Sequence, residues 1–273
     1  EQHPATGTEE FDLSKLKVHV TDKAGNTGTS DDGEVEPFVG EALPKPIIEA
    51  YIDNVAGGIE GGDPVGHNGI TNDNAGAIRG TVDMTSGNVN EVWVYVSGLG
   101  PIRVVPDESG SWIVTSEQLG QLTTTTTLQD GAVTVIARAY NAASNVISEV
   151  SETFVFTVDT VAPTVEVNIV KDSLNIADDT SEVTFKFSEE PVGFELSDIE
   201  VTGGQLSDLA QNLDNPLWWT ATFTSDPSAE GIASVTVPAG RFTDKAGNSN
   251  VEDKIDTVAY DTKAPTLESI ELD

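Results

Sequence analysis

Short apolar runs, many with alternating polar positions, recur along the chain: KLKVHV (15–20), EVWVYV (91–96), SWIVT (111–115), AVTVIARAY (132–140), TFVFTV (153–158), SEVTFKF (181–187), WWTATF (218–223) and IASVTV (232–237). They are rich in Val, Thr and aromatic residues, which suit a pleated, half-buried surface. Between them stand the words DESG, QDG, TGG, AGN and SDP, whose Gly, Asp, Asn and Pro favour tight reversals. No window holds a 3.6-residue period over any length, and only QLGQL (118–122) offers a single helical turn. The pattern predicts an all-β protein built of sandwich domains, with strands at a spacing of roughly 8–12 residues.

The chain also repeats itself. TDKAGN stands at 21–26 and again at 243–248, and a blurred copy, YNAASN, at 140–145, so the starts lie 119 and 103 residues apart. A period of about 110 residues suits an array of small β-domains and is too long for most solenoids. TVDTVAP (157–163) and AYDTKAP (259–265) each follow one strand and precede another. Their prolines, Pro163 and Pro265, cannot donate to a ladder and hold the chain extended where one sandwich hands over to the next. This divides the chain into the C-terminal part of a module at 1–43, full modules at 44–163 and 164–263, and the first strand of a further module at 264–273. In 1–43, KLKVHV is expected as the penultimate strand, TDKAGN as its turn, and the stretch around EVEPFV (34–39) as the last strand. The joint before the first full module, EALPKP (41–46), lacks the Asp-Thr pair of the other two.

Charge changes the picture. Asp and Glu number 46 against 13 Lys and Arg, a net charge of −33. Such a surface repels phosphate backbones and anionic lipid heads, which argues against nucleic acid and membrane as partners. It suits a chain that holds divalent cations, or one whose acid simply keeps it soluble and apart from its neighbours. There is no cysteine, so stability rests on packing or on metal. His3, His19 and His67 are isolated and the acids fall in turn and linker words, so no catalytic constellation stands out and an enzyme is not expected.

The TDKAGN word first reads as a tight turn: its Asp bonds the backbone ahead, and Gly and Asn accept positive φ. Its position adds more. The turn before the last strand of a sandwich lies at the end where the chain comes in, which predicts that Asp244 and Asn248 approach Asp159 of the linker. Asp53 and Asp130 are expected from neighbouring loops. Calcium takes six to eight hard oxygens in irregular geometry and suits such a gathering. Zinc does not, because no Cys or His stands in ligand spacing. Two further acidic pairs are candidates within modules: Asp172 with Asp198, near Asp178 and Asp179, and Asp53 with Asp73. Each of these acids reads equally as a solvated loop carboxylate.

The words APTVEVNI, SEVTFKFSEEPVGFELSDIEVTGGQLSDL, WTATFT, VPAGRFTDKAGN and DTKAP, in that order, give 164–263 a resemblance to the bacterial Ig-like repeats of giant surface adhesins of the RTX type, exported by type I secretion. GITNDNAGAIRGTV, LQDGAVTVIARAYNAASN and FTVDTVAP make 44–163 resemble a second repeat type of the same proteins. The resemblance implies tandem Ig-like sandwiches forming an extended rod, secreted to the bacterial cell surface, with calcium at the joints and roles in cell adhesion and biofilm. It maps ligands onto Asp159 and Asp261 in the linkers and Asp22 and Asp244 in the turns, with Asn26 the counterpart of Asn248. YNAASN departs from it, with Asn141 for Asp and Ser144 for Gly, so the first joint is expected to be poor in metal.

The implied partners are adjacent modules of the same chain, with a host-cell, surface or glycan ligand taken by other regions. The rival reading is a carbohydrate- or other ligand-binding module. Trp218 and Trp219 are consecutive in a strand and so point to opposite faces, one to the core and the other outward, exposed or under a loop. The TTTTT run (123–127) reads as a loop or edge strand.

Overall fold

A computed structural model describes residues 18–21, 27–30, 42–54, 62–86, 88–122 and 127–266. Strands β1 (Val18–Thr21) and β2 (Thr27–Ser30) form an antiparallel hairpin with Thr21 opposite Thr27. The segment that pairs with β1 across the first TDKAGN word is 27–30. Asp22, Asn26, EVEPFV, most of the threonine run and residues 267–273 lie outside the described residues.

Beyond the hairpin the chain divides into two compact units. One comprises 1–68, 75–128 and 132–156, the other 69–74, 129–131 and 157–273. The first sandwich along the chain is built from β3 (Ile47–Asp53), β4 (Asp63–Val65), β5 (Gly69–Thr71), β6 (Ala77–Thr81), β7 (Glu91–Val96), β8 (Leu99–Val104), β9 (Ser111–Val114), β10 (Gly131–Asn141), β11 (Val146–Ile147) and β12 (Phe154–Val158). One sheet runs β4-β3-β6-β9, the other β5-β12-β10-β7-β8 with β11 on β10. The alternation in EVWVYV is obeyed: Val92, Val94 and Val96 are buried, while Glu91, Trp93 and Tyr95 face outward. Tyr51 and Phe156 stack at 4.3 Å in the core, and the Tyr51 hydroxyl accepts from Gly76 N at 2.6 Å. The helical turn α1 (Ser116–Gly120) starts two residues ahead of QLGQL. Thr115 and Gln118 cap it reciprocally, each side chain bonding the other's backbone N–H.

Gly80 on β6 lies against its cross-strand partner Trp112. A methyl group there would come within 2.1 Å of Ile47 O and 2.2 Å of Trp112 Cζ2. Neither the backbone nor the buried indole can yield easily, so Gly80→Ala is expected to destabilise this unit by about 1–3 kcal/mol. Thermal unfolding of the variant checks this.

The second sandwich contains β13 (Val165–Ile169), β14 (Ser173–Asn175), β15 (Thr180–Phe187), β16 (Glu200–Thr202), β17 (Gly204–Gln211), β18 (Trp218–Ser225), β19 (Glu230–Val237) and β20 (Lys254–Asp261). Its sheets run β13-β15-β18-β17 and β14-β20-β19-β16, antiparallel except for β14 beside β20. Phe194 sits at the centre of an aromatic cluster, 4.9–5.9 Å from Phe185, Phe187, Trp219 and Phe242. Trp219 thus faces inward and Trp218 outward, as alternation requires. Trp218 stays 41% exposed and is not covered by a loop. The adjoining 212–217 turn folds on itself instead: Asn212 Oδ1 accepts from Asp214 N and Asn215 N, and Asn215 Oδ1 from Leu217 N.

Candidate metal centre

The second TDKAGN word is a turn wound round one buried carboxylate. Asp244, 2% exposed, accepts at Oδ1 from Gly247 N (2.7 Å) and Asn248 N (2.9 Å), and at Oδ2 from Asn248 Nδ2 (2.8 Å). Gly247 sits at φ +97°, in the region that glycine tolerates and L side chains do not. Asn248 Nδ2 also donates to the backbone oxygen of Asp159 at 2.8 Å, tying the linker to the turn. The linker's own turn is closed by Asp159 Oδ1 accepting from Val161 N.

The third member was not picked out from the sequence. Glu189 follows β15 in the loop SEEP, and its carboxylate lies with those of Asp159 and Asp244, one oxygen from each falling within 4.8 Å of the others. Two bonds between Val192 and Thr243, 2.7 and 3.2 Å, clamp the Glu189 loop to the segment leading into Asp244. Buried Asn250 braces the turn from behind, accepting from Arg241 N and Phe242 N and donating to Pro238 O. The signal available in the sequence was the SEEP word itself, an acid pair held by a proline at the sandwich end.

Electrostatically the triad is uncompensated. Lys245 pairs with Glu190 at 2.6 Å, and among the described residues no Lys or Arg forms an ion pair with Asp159, Glu189 or Asp244. Burial pushes the Glu189 carboxyl above its ordinary value, and repulsion from Asp159 and Asp244 pushes it the same way. A raised acid contributes its full stability below its unfolded value near 4.5 and loses it as pH rises through the higher folded value. In chelator, Glu189→Gln should therefore match the parent near pH 4 and become the more stable of the two towards neutral pH. Thermal unfolding across that range is the measurement. The donor set fits a hard divalent cation: carboxylate oxygens with neither thiolate nor imidazole.

The other expected residues are placed as follows. Asp130 does not join the triad; its carboxylate accepts from Thr160 N and Thr160 Oγ1, beside Asp159. Asp73 is buried next to Thr71, whose backbone oxygen accepts from Asp159 N. Asp53, in the first unit, ends β3 opposite Asp63. Asp198 closes a short 3₁₀ turn by accepting from Glu195 N, and Asp178 is paired with Lys171, leaving Asp172 on the exposed turn after β13. Asp261 repeats the Asp159 turn, accepting from Lys263 N at 3.0 Å. The Asp-Thr pair acquires a second meaning here: Thr262 donates to Asp226 O and Ala229 O much as Thr160 holds Asp130. In YNAASN, Asn141 caps its turn through Ala143 N and Ser144 N without a carboxylate's charge.

Residues 159–261, which carry all three acids, match the family model described as a bacterial Ig-like domain. Over this segment the match supports a bacterial Ig-like domain. No curated protein matches the chain in sequence. Among solved structures it is similar to the SGBP-B protein of the Bacteroides ovatus mixed-linkage glucan utilization locus, solved in complex with a mixed-linkage heptasaccharide (15% identity, 79% of this chain and 47% of that chain, TM-score 0.23). It is also similar to a Salmonella alpha-2-macroglobulin variant (10%, 86% and 17%, 0.29). A third likeness is to the C-terminal domain of the Streptococcus pyogenes antigen I/II-family protein AspA (7%, 80% and 99%, 0.28). The chain thus spans less than half the length of the first two. The Ig-like domain has the all-β, two-sheet construction expected of it, with its acids gathered at the turn and linker words.

Proposed function

We propose that the chain is a non-catalytic spacer segment of a large bacterial surface adhesin, made of tandem Ig-like modules and stiffened by calcium. The observation that carries this reading is the meeting of Asp159, Glu189 and Asp244 without a basic partner among the described residues. Asp159 belongs to the TVDTVAP linker, whereas Glu189 and Asp244 belong to loops of the domain that follows. A cation held by all three would fix the linker to that domain and remove orientational freedom that a free linker keeps. Its charge would also relieve the repulsion among the acids.

Extracellular calcium modules bind at about 10⁻⁴–10⁻³ M, and a hundredfold excess over Kd stabilises by about 2.7 kcal/mol per site. Small-angle scattering with calcium and with EDTA tests the stiffening. A maximum dimension that lengthens in calcium is expected, and one that stays the same would reject the spacer's rigidification.

A further inference from the structure

The first unit carries a groove of about 750 Å³, within the range of ligand clefts. Gly80 and Trp112 line it together with the apolar side chains of Val104, Val105 and Ile113. Val105 is 77% exposed, an apolar wall without a cover. Trp112 is 3% exposed, yet its Nε1 has no hydrogen-bond partner among the described residues. A buried donor left unmet is destabilising.

The polar groups round the groove are unbalanced towards donors. Arg79 Nε lies 3.7 Å from Glu49, a loose pair that leaves most of its N–H fork open. Arg103 lies over the Trp93 ring at 4.6 Å and has no carboxylate partner among the described residues. Gln118 spends its Oε1 on Thr115, leaving its amide N–H groups as donors. Two carboxylates, Glu49 and Asp107, also line the groove. Asp107 Oδ1 already accepts from Ser109 N, Ser109 Oγ and Ser111 N. Two arginines here balance the two carboxylates that line the same groove, in a chain whose net charge is −33.

We propose that this groove binds an oligosaccharide bearing a carboxylate, a uronate. A guanidinium fork matches a carboxylate in two parallel bonds. Sugar hydroxyls and ring oxygens accept from isolated donors such as the Gln118 amide, and the hydroxyls rotate to suit them. The Val104, Val105 and Ile113 side chains face the sugar's C–H surface. A peptide fits worse, because its backbone brings as many donors as acceptors and the groove has few acceptors left to meet them.

The site lies wholly in the first unit and stands apart from the cation reading. The test titrates the intact chain with a glucuronate-containing tetrasaccharide, its carboxyl-reduced neutral form, and a pentaglutamate peptide, in calcium and in EDTA. Saturable binding of the acidic sugar is expected, about tenfold or more tighter than the neutral form, and equal in calcium and EDTA. Arg79→Gln and Arg103→Gln should each weaken it by about tenfold, as loss of one charge-assisted contact predicts. Thermal midpoints of the two variants show that they fold. The proposal is overturned if neither sugar binds, if both bind equally, if the peptide binds more tightly, or if both arginine variants bind like the parent.

Discussion

Asp244→Ala is expected to abolish calcium-dependent stabilisation of the Ig-like domain and to weaken it even in chelator. The side chain is buried and accepts three N–H bonds, two of them from the backbone of its own turn. Removing it leaves Gly247 N and Asn248 N unmet, at a cost of about 1–3 kcal/mol. The missing carboxylate also removes one of the three acids that hold the ion. With calcium in hundredfold excess over Kd the two effects add to about 4–6 kcal/mol below the parent. Asp244→Asn separates them in part: its amide oxygen can still accept the two backbone bonds, but its amide nitrogen meets the Asn248 Nδ2 donor, so chelator stability should fall by less than in Asp244→Ala while the response to calcium falls. Thermal unfolding of both variants with and without calcium measures each part. An Asp244→Asn domain that still responds to calcium like the parent would show that this carboxylate is not a ligand.

Phe194→Ala should lower the stability of the same domain by about 3–5 kcal/mol, as expected for truncating a buried aromatic side chain. The ring contacts four other aromatic side chains and is 6% exposed, so the vacated space cannot fill without moving several rings. Phe194 also anchors the loop that begins at Ser188 and carries Glu189. Calcium affinity should therefore fall along with stability, although Phe194 offers no ligand atom. Denaturant unfolding of this variant gives the first effect, and calorimetry at a temperature where it remains folded gives the second.

The fold was legible because the strands keep strict alternation. EVWVYV, SEVTFKF and WWTATF each send one set of side chains to the core, and the inward turn of Trp219 follows from period two alone. The approach of Asp159 to Asp244 was legible too, since a turn before the last strand and an incoming linker share one end of a sandwich. Glu189 was not. Its place depends on the two bonds between Val192 and Thr243, a contact between loops about fifty residues apart that no local pattern announces. The bond of Asp130 to Thr160 was not legible for a related reason. A loop aspartate can serve an ion or a hydroxyl, and only the position of Thr160 shows which. The threonines of the Asp-Thr words hid their role in the same way, because Thr160 and Thr262 act through hydroxyl bonds to distant loops.

The central claim is that the three carboxylates grip a divalent ion. It is tested most directly by calorimetric titration of calcium into chelator-stripped chain, beside a variant carrying Asp159→Asn, Glu189→Gln and Asp244→Asn. The account predicts that the parent takes up one calcium ion more than the variant, with a Kd of about 10⁻⁴–10⁻³ M. Identical ion counts and heats for the two proteins would contradict it.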